Sequence, residues 1–268
     1  MKKADRFATA ARAGARLEGA FVVDVHAHMG EYNVFHMVRT DAASMIRVMD
    51  RVGIDVTMPA SHHACLGADV RRGNDEVLQA MRDYPGRFLG YACLNPNYRD
   101  EIVPELERCL DAGMPGIKIH SGMGAYDLDN YRLAFDLARE RGVPILAHAY
   151  PGDLAPLEKL AEKYPMVQWI LGHAGTLERT RYIELAKRLP NLWLEPTASL
   201  SPRGVPDCFI EAGLGDRLMW GSDCPFLSAT QQIGRVLLAR MSADWKRKVL
   251  GETARRLFPA VERLAAAR

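Results

Sequence analysis

The stretch FVVDVHAH, residues 21–28, is an apolar, β-branched run that ends in a pair of histidines. The run has the composition of a buried β-strand, and His26 and His28 stand at its carboxyl end. Side chains two residues apart on a strand point to the same face, so both imidazoles can reach a single ion. An isolated His-x-His pair is as typical of an exposed loop as of a metal site. Residues elsewhere in the chain are needed to distinguish the two.

Further apolar runs follow at spacings that leave room for a helix after each one. This alternation is the pattern of βα units around a parallel sheet. The eight predicted strands are FVVDV from Phe21, IDVTMPA from Ile54, RFLGYACL from Arg87, GIKIH from Gly116, VPILAH from Val143, VQWILGH from Val167, NLWLEP from Asn191 and RLMWGSD from Arg217.

Helix signals stand between these runs. Apolar residues recur at helical spacing over residues 41–52, behind an Asp41 that can serve as the N-cap. Asn74 and Asp153 can begin later helices in the same way. Proline and glycine then end the predicted helices before the next strand, as in Tyr84-Pro85-Gly86.

Two folds accommodate eight such units, a closed (β/α)8 barrel and an open, doubly wound sheet. No Gly-x-Gly-x-x-Gly turn follows the first strand, and 268 residues fit one barrel. We therefore predict an α/β protein with a single TIM barrel over residues 21–268, preceded by a lead-in segment over residues 1–20.

Three more potential metal ligands also close predicted strands. His148 follows VPILA, His173 follows VQWILG, and Asp223 follows RLMWGS. The carboxyl ends of all barrel strands meet at one mouth, so these residues are expected to lie together. Imidazoles and a carboxylate suit zinc, manganese or iron(II), with a position left open for water. The alternatives are separately satisfied histidines at strand ends, and an Asp223 that only caps the following helix.

Composition excludes some classes of partner. The formal net charge is +2, and basic residues form only short pairs such as Arg71-Arg72. Neither nucleic-acid nor membrane-surface binding is therefore indicated. Five cysteines without a Cys-x-x-Cys pair favour reduced thiols in the cytoplasm over a disulfide framework. No apolar stretch approaches the ~20 residues that cross a bilayer. We expect a cytoplasmic protein with a small-molecule substrate, and the sequence leaves a homodimer open.

The arrangement of strand-end residues resembles the signature of the amidohydrolase superfamily. The motifs GIKIH, ILGHAG, GSDCPF and TARRLF are most similar to its amidohydrolase 2 branch, which contains aminocarboxymuconate-semialdehyde decarboxylase and related decarboxylases, lactonases and hydrolases. The resemblance runs from Asp24 to Phe258. It implies one metal ion, for which we expect Zn²⁺ with Mn²⁺ or Fe²⁺ as alternatives. It also implies that His26, His28, His148 and Asp223 are the ligands, and that His173 and Asp223 are catalytic.

Lys118 ends the fourth predicted strand, where binuclear relatives carry a carboxylated lysine. If Lys118 were carboxylated, His148 and His173 would bind a second ion. Otherwise its ammonium could hold a substrate carboxylate or pair with an acid at the rim of the barrel.

Other residues near the predicted mouth are candidates for substrate binding. His120 shares the face of Lys118, and Tyr150 follows His148. We expect His63 and Arg72 to lie in the long loop after the second strand. Loops at this face of a barrel select the substrate. Residues 195–197 at the end of the seventh strand complete the expected neighbours.

Two enzymatic reactions use this predicted site. In the first, metal-activated water cleaves an ester, lactone or amide, and Asp223 passes a proton to the leaving group. In the second, a small unsaturated or aromatic acid loses carbon dioxide while His173 assists proton transfer to carbon. The resemblance favours hydrolysis, because the superfamily is mostly hydrolytic. A non-catalytic metal-binding barrel is a third, more distant reading.

Overall fold

The chain alternates parallel β-strands with helices, as the spacing of the apolar runs predicts. The computed structural model describes residues 5–32, 34, 36–67, 69–198 and 204–267. The strands are β1 (Val23–Met29), β2 (Val56–Ser61), β3 (Tyr91–Cys93), β4 (Gly116–Ile119), β5 (Ile145–His148), β6 (Trp169–Gly172) and β7 (Leu192–Glu195). The helices are α1 (Arg6–Ala13), α2 (Ala42–Val52), α3 (His62–Cys65), α4 (Val70–Asp83), α5 (Arg99–Asp111), α6 (Leu128–Arg141), α7 (Leu154–Lys163), α8 (Arg179–Arg188), α9 (Val205–Glu211), α10 (Ala229–Leu237), α11 (Ala243–Arg247), α12 (Thr253–Leu257) and α13 (Pro259–Ala266). Short 3₁₀ turns cover Pro151–Asp153 and Gly215–Arg217, and a π-helical turn covers Lys248–Glu252.

Two parallel series of strands make up the wall of the barrel. β1 pairs with β2, and β3 to β7 pair in sequence order. Between β2 and β3 the Thr57 amide donates to the Arg87 carbonyl at 2.9 Å, and the Leu89 amide donates to the Thr57 carbonyl at 3.1 Å. These bonds join the two series on one side.

The segment RLMWGSD, predicted as the eighth strand, joins the two series on the other side. Leu218 makes a parallel bridge to β7, and the Trp220 carbonyl accepts a 3.2 Å hydrogen bond from an amide of β1. The segment is not a regular strand, because the amides of Ser222 and Asp223 both donate to the carbonyl of His26. The hydrogen-bonded segments nevertheless form a complete ring, and the predicted (β/α)8 barrel is confirmed.

The helix starts agree only in part with the sequence predictions. Asp41 is the N-cap of α2, because its carboxylate accepts a 2.9 Å hydrogen bond from the Ser44 amide. Asn74 does not begin a helix. Asp69 caps α4 instead, so Arg71 and Arg72 lie in this helix and not in a loop. Asp153 precedes α7, but its carboxylate accepts from the Tyr150 amide.

Residues ahead of the barrel pack against its outer helices. Phe7 of α1 is buried, and the ammonium of the buried Lys246 contacts the Asp5 carboxylate. Because these contacts fix α1 to α10 and α11, the described part of the lead-in is an ordered layer on the barrel. Among the described residues, no helix combines the length and the apolar character needed to span a membrane.

Candidate metal centre

The predicted ligands and the predicted catalytic histidine, His173, converge at the carboxyl ends of the strands. His26 and His28 lie in β1, His148 ends β5, and His173 directly follows β6. The ring centroids of His26 and His173 are 4.9 Å apart, and those of His148 and His173 are 4.7 Å apart. One mouth therefore collects four imidazoles that are up to 147 positions apart in sequence.

Asp223 lies between the two histidines of β1. Its Oδ1 is 3.2 Å from His28 Nε2 and 3.9 Å from His26 Nε2. Burial opposes the charge of this carboxylate, but the hydrogen bond from His28 and the nearby positive groups outweigh it, so the pKa of Asp223 is lowered. Burial also opposes a charge on His28, yet Cys65 and Asp223 raise the pKa of His28 to about 9.

Two of the mouth residues have a strained backbone. His173 has φ +65° and Asp223 has φ +53°, in the left-handed region that side chains other than glycine rarely adopt. Strain of this kind is tolerated where the surrounding structure imposes it, and it concentrates at functional sites. Nothing in the local sequence predicts it.

Hydrogen bonds behind the rings fix which nitrogen faces the centre. His26 Nδ1 lies 2.7 Å from Glu195 Oε2, and His173 Nδ1 lies 2.7 Å from the Thr197 carbonyl. Both partners accept, so each Nδ1 carries the proton and each Nε2 presents its lone pair to the centre, where the lone pair of His26 faces the Lys118 ammonium at 3.0 Å. Burial lowers the pKa of His26 and of His173, which keeps both rings neutral.

Glu195 was predicted only as a neighbour of the pocket, and its bond to His26 was missed. It is fully buried, and burial raises its pKa to about 7, while a 2.7 Å bond from the Thr197 amide favours its charged form. A buried acid that ends an apolar strand was the available signal. The partner could not be identified, because 169 residues separate it from Glu195.

Lys118 lies beneath the centre. Its side chain is buried, and its Nζ is 3.0 Å from His26 Nε2, where we had considered an acidic partner. Burial lowers the pKa of this ammonium. Lys118 is therefore close enough to influence the centre, although it does not line the cavity above it.

The arrangement of donors fits a divalent metal ion. One ligand atom from each of His26, His173 and Asp223 lies within 4.8 Å of the others. The trio includes His173, which we predicted to be catalytic beside a single ion, and it leaves out two predicted ligands, His28, which contacts Asp223, and His148, which packs against His173. The neutral imidazoles of His26 and His173, each with an Nε2 lone pair, and the carboxylate of Asp223 are donors of the kind that zinc, manganese and iron(II) accept.

A cavity of about 370 Å³ opens directly onto these residues. His120 and Tyr150 line it, as predicted for substrate-binding residues, and the His120 ring stacks on His148 at 4.0 Å. His63 and Arg72 do not line it: His63 Nδ1 lies 3.3 Å from Glu76, and Arg72 is exposed on α4. The lining comprises His28, Tyr32, Leu66, His120, His148, Tyr150, His173, Asp223, Phe226 and Leu227.

Another buried acid, Asp24, holds the turn that carries Asp223. Its carboxylate accepts 2.8 Å and 2.6 Å hydrogen bonds from the amide and hydroxyl of Ser222. Burial raises the pKa of Asp24 to about 7. Asp24 thus links the start of the histidine motif to the residue just before Asp223, a role that sequence reasoning did not assign.

Comparison with known proteins identifies relatives of this chain. Gamma-resorcylate decarboxylase of Rhizobium sp. (strain MTP-10005) is 25% identical over 70% of this chain and 75% of the relative. A shorter match to 2-amino-3-carboxymuconate-6-semialdehyde decarboxylase of Dictyostelium discoideum is 28% identical, and it covers 37% of this chain and 27% of that protein.

A solved structure supports the same fold. The 5-carboxyvanillate decarboxylase from Novosphingobium aromaticivorans, complexed with manganese and 4-hydroxy-3-methoxy-5-nitrobenzoic acid, superposes with a TM-score of 0.72. The two chains are 18% identical, and the match covers 90% of this chain and 96% of the other.

A family model described as amidohydrolase, of the amidohydrolase 2 branch, matches residues 23–260, which span the whole barrel from β1 into α13. The chain therefore belongs to the metal-dependent amidohydrolase family and is an enzyme.

Proposed function

We propose that the enzyme is a metal-dependent, non-oxidative decarboxylase of a small aromatic or unsaturated carboxylic acid. The observation that carries this proposal is the cavity of about 370 Å³, whose walls are mainly rings and whose floor is the cluster of imidazoles and Asp223. Flat rings stack well against Tyr32, Phe226 and Tyr150. The decarboxylase names of the relatives support the same reaction, and they favour it over the hydrolysis that the superfamily as a whole suggested.

The floor of the cavity suits a carboxylate. A divalent ion held by His26, His28, His148 and Asp223 would supply the positive charge that binds the oxygens of the substrate. Zinc is the ion we expect, with manganese or iron(II) as alternatives. The rings of His120 and Tyr150 confine the remainder of the substrate.

His173 is the residue we assign to proton transfer. Its Nδ1 proton is held by the Thr197 carbonyl, so Nε2 is the atom that can accept a proton and release it. Decarboxylation replaces the carboxylate with hydrogen: Nε2 first takes up a proton from water and delivers it to the carbon, the electron pair of the bond to the carboxylate stays on the ring or diene, and carbon dioxide leaves. The neighbouring Asp223 stabilises the protonated form of His173 by its charge.

Hydrolysis of an ester, lactone or amide would use the same residues, so the products must distinguish the two reactions. The protein, purified without a polyhistidine tag or chelator, is incubated with a panel of hydroxybenzoates that includes gamma-resorcylate, with dienoic acids and with lactones. We expect release of carbon dioxide from a carboxylated ring or diene. A ring-opened acid from a lactone, without carbon dioxide, would replace this proposal with hydrolysis.

Metal content tests the centre independently of the substrate. Inductively coupled plasma mass spectrometry should find about one ion per chain in the wild type and a loss in His26→Ala. About two ions per chain would bring Lys118 into a binuclear centre. A protein that takes up no metal after incubation with zinc or manganese would refute the mechanism.

A further inference from the structure

The one-turn helix α3 places two buried side chains against His28. His62 and Cys65 are three residues apart, so they lie on the same side of the helix. The helix begins directly after β2, the strand that pairs with the strand carrying His28. From the sequence, we predicted this region only as part of a substrate-binding loop.

His62 covers the face of the His28 ring. The two ring centroids are 4.5 Å apart with an angle of 11° between the planes, which is a stacked arrangement. The His62 ring is itself fixed, because Nδ1 donates a 2.9 Å hydrogen bond to the Gly30 carbonyl and Phe226 packs edge-on at 4.5 Å.

The second ring nitrogen of His62 makes no hydrogen bond. Its Nε2 is buried and has no partner in the part of the chain that the structure describes. Burying a polar nitrogen without a partner costs free energy. A hydrogen bond through Nε2 is therefore not the reason that a histidine stands at position 62. What His62 supplies to its surroundings is the flat face of its ring and the bond to Gly30.

Cys65 contacts the edge of His28. Its Sγ is 3.7 Å from His28 Nδ1, while the opposite nitrogen, Nε2, is 3.2 Å from Asp223. A histidine that binds a metal through Nε2 carries its proton on Nδ1, and that proton needs an acceptor. A carboxylate and a carbonyl fill this role for His26 and His173, and the sulfur of Cys65 is placed to fill it for His28.

We propose that His62 and Cys65 are positioning residues that clamp His28 for metal binding, His62 through the ring face and Cys65 through Nδ1. The clamp rests on the metal centre of the proposed function but not on the reaction. It orients Nε2 of His28 towards Asp223 and fixes the tautomer that can bind a metal.

Cobalt(II) affinity tests the contact at the ring edge. Competition with a chromogenic chelator is measured for the wild type, Cys65→Ala, Cys65→Ser and Cys109→Ala. Cys109 is a matched control, because it is equally buried but contacts Glu105 in α5. We expect Cys65→Ala to weaken cobalt binding about 10-fold or more, the range found for outer hydrogen-bond partners of metal ligands. Cys65→Ser should restore much of the loss, and Cys109→Ala should bind as the wild type does.

His62→Ala and His62→Phe test the contact at the ring face. His62→Ala should weaken cobalt binding and change the visible spectrum of the bound cobalt, whereas His62→Phe keeps a stacked ring and should stay close to the wild type. The zinc-loaded wild type should also show a slowly exchanging Nδ1 proton of His28 by NMR, which disappears in Cys65→Ala.

The outcomes separate the clamp from the reaction. Equal losses in Cys65→Ala and Cys109→Ala, or no loss in either, would overturn the clamp even if the enzyme releases carbon dioxide. A selective loss in Cys65→Ala would support the clamp even if the products show hydrolysis. A wild type that holds no cobalt overturns the clamp together with the metal centre.

Discussion

The two ends of the barrel use polar side chains in opposite ways. At the mouth, His26 and His173 turn Nδ1 to an acceptor behind the ring and leave Nε2 facing a shared centre. At the base, the side chains of Asn191 and Arg217 instead donate hydrogen bonds to backbone carbonyls. The mouth thus leaves ring nitrogens available to bind a ligand, whereas the polar groups at the base are hydrogen-bonded to the backbone and stabilise the fold.

Asn191 is the clearest example of a side chain at the base that bonds only to the backbone within the described residues. Its buried side-chain amide donates to the carbonyls of Ala161, Tyr164 and Val167, which lie at the end of α7 and in the turn before β6. Arg217 does the same for carbonyls at the end of α8 and the start of β7. Helix ends leave carbonyls without partners in the helix, so these side chains supply the missing donors. In barrel enzymes, residues at the amino-terminal end of the strands serve mainly stability, and residues at the carboxyl-terminal end carry the chemistry.

The largest expected effect is at the mouth. Asp223→Asn keeps the size of the side chain but removes the charge of a proposed metal ligand. We expect turnover to fall by about 10²–10⁴-fold or more, the range for loss of proton-transfer catalysis, because the protonated form of His173 loses the charge that stabilises it. Steady-state assays of carbon dioxide release, with circular dichroism to verify folding, measure this. An active Asp223→Asn would remove this carboxylate from the mechanism.

A smaller effect is expected at Glu195, which contacts the proposed ligand His26 from behind its ring. Glu195→Gln keeps the shape of the side chain but weakens the acceptor for His26 Nδ1. Metal affinity should fall about 10–100-fold. Equilibrium competition for zinc measures the change, and Glu105→Gln, which removes a charge held by Arg108 and Asn74, is the control. Unchanged affinity in Glu195→Gln would show that the carboxylate does not orient His26.

The barrel itself could be predicted from local patterns. Parallel strands covered on both faces are apolar throughout, and each of the seven regular strands lies within or overlaps a predicted run. The eighth run was harder, because its ladder to β1 is interrupted where two amides share the His26 carbonyl. That interruption depends on contacts about 200 residues apart in sequence, so no local pattern carries it.

The candidate site was predictable in its residue types and not in its supporting contacts. His26, His148, His173 and Asp223 could be found because each follows an apolar strand. The contact of Cys65 with His28 could not, since it joins segments 37 residues apart in sequence, and no local pattern marked the left-handed backbone of His173. Arg72 was misplaced for a local reason: the helix begins at the cap Asp69, and the sequence alone suggested Asn74.

At the base, loss of a donor should affect stability and leave the chemistry intact. Asn191→Ala removes the shared donor of three buried carbonyls, and we expect the free energy of unfolding to fall by about 1–3 kcal/mol. Urea denaturation measures this, with the exposed Gln79→Ala expected within about 0.5 kcal/mol of the wild type. Metal affinity and turnover per folded molecule should not change. A loss of metal binding in Asn191→Ala would mean that the two ends of the barrel are coupled.

The smallest effect we expect comes from a backbone position at the base. Gly142 ends α6 with φ +63°, and a Cβ added there meets no atom within 4 Å. Gly142→Ala therefore adds only the cost of a left-handed alanine, about 1 kcal/mol. Gly152 is a matched control near the mouth, because it is equally open but lacks a positive φ. Thermal unfolding should show a lower midpoint for Gly142→Ala and no loss for Gly152→Ala, with metal content unchanged in both. If Gly142→Ala had the same unfolding midpoint as the wild type, the left-handed backbone of His173 and Asp223 would also cost little stability. The contrast between the mouth and the base would then rest on side-chain hydrogen bonds alone.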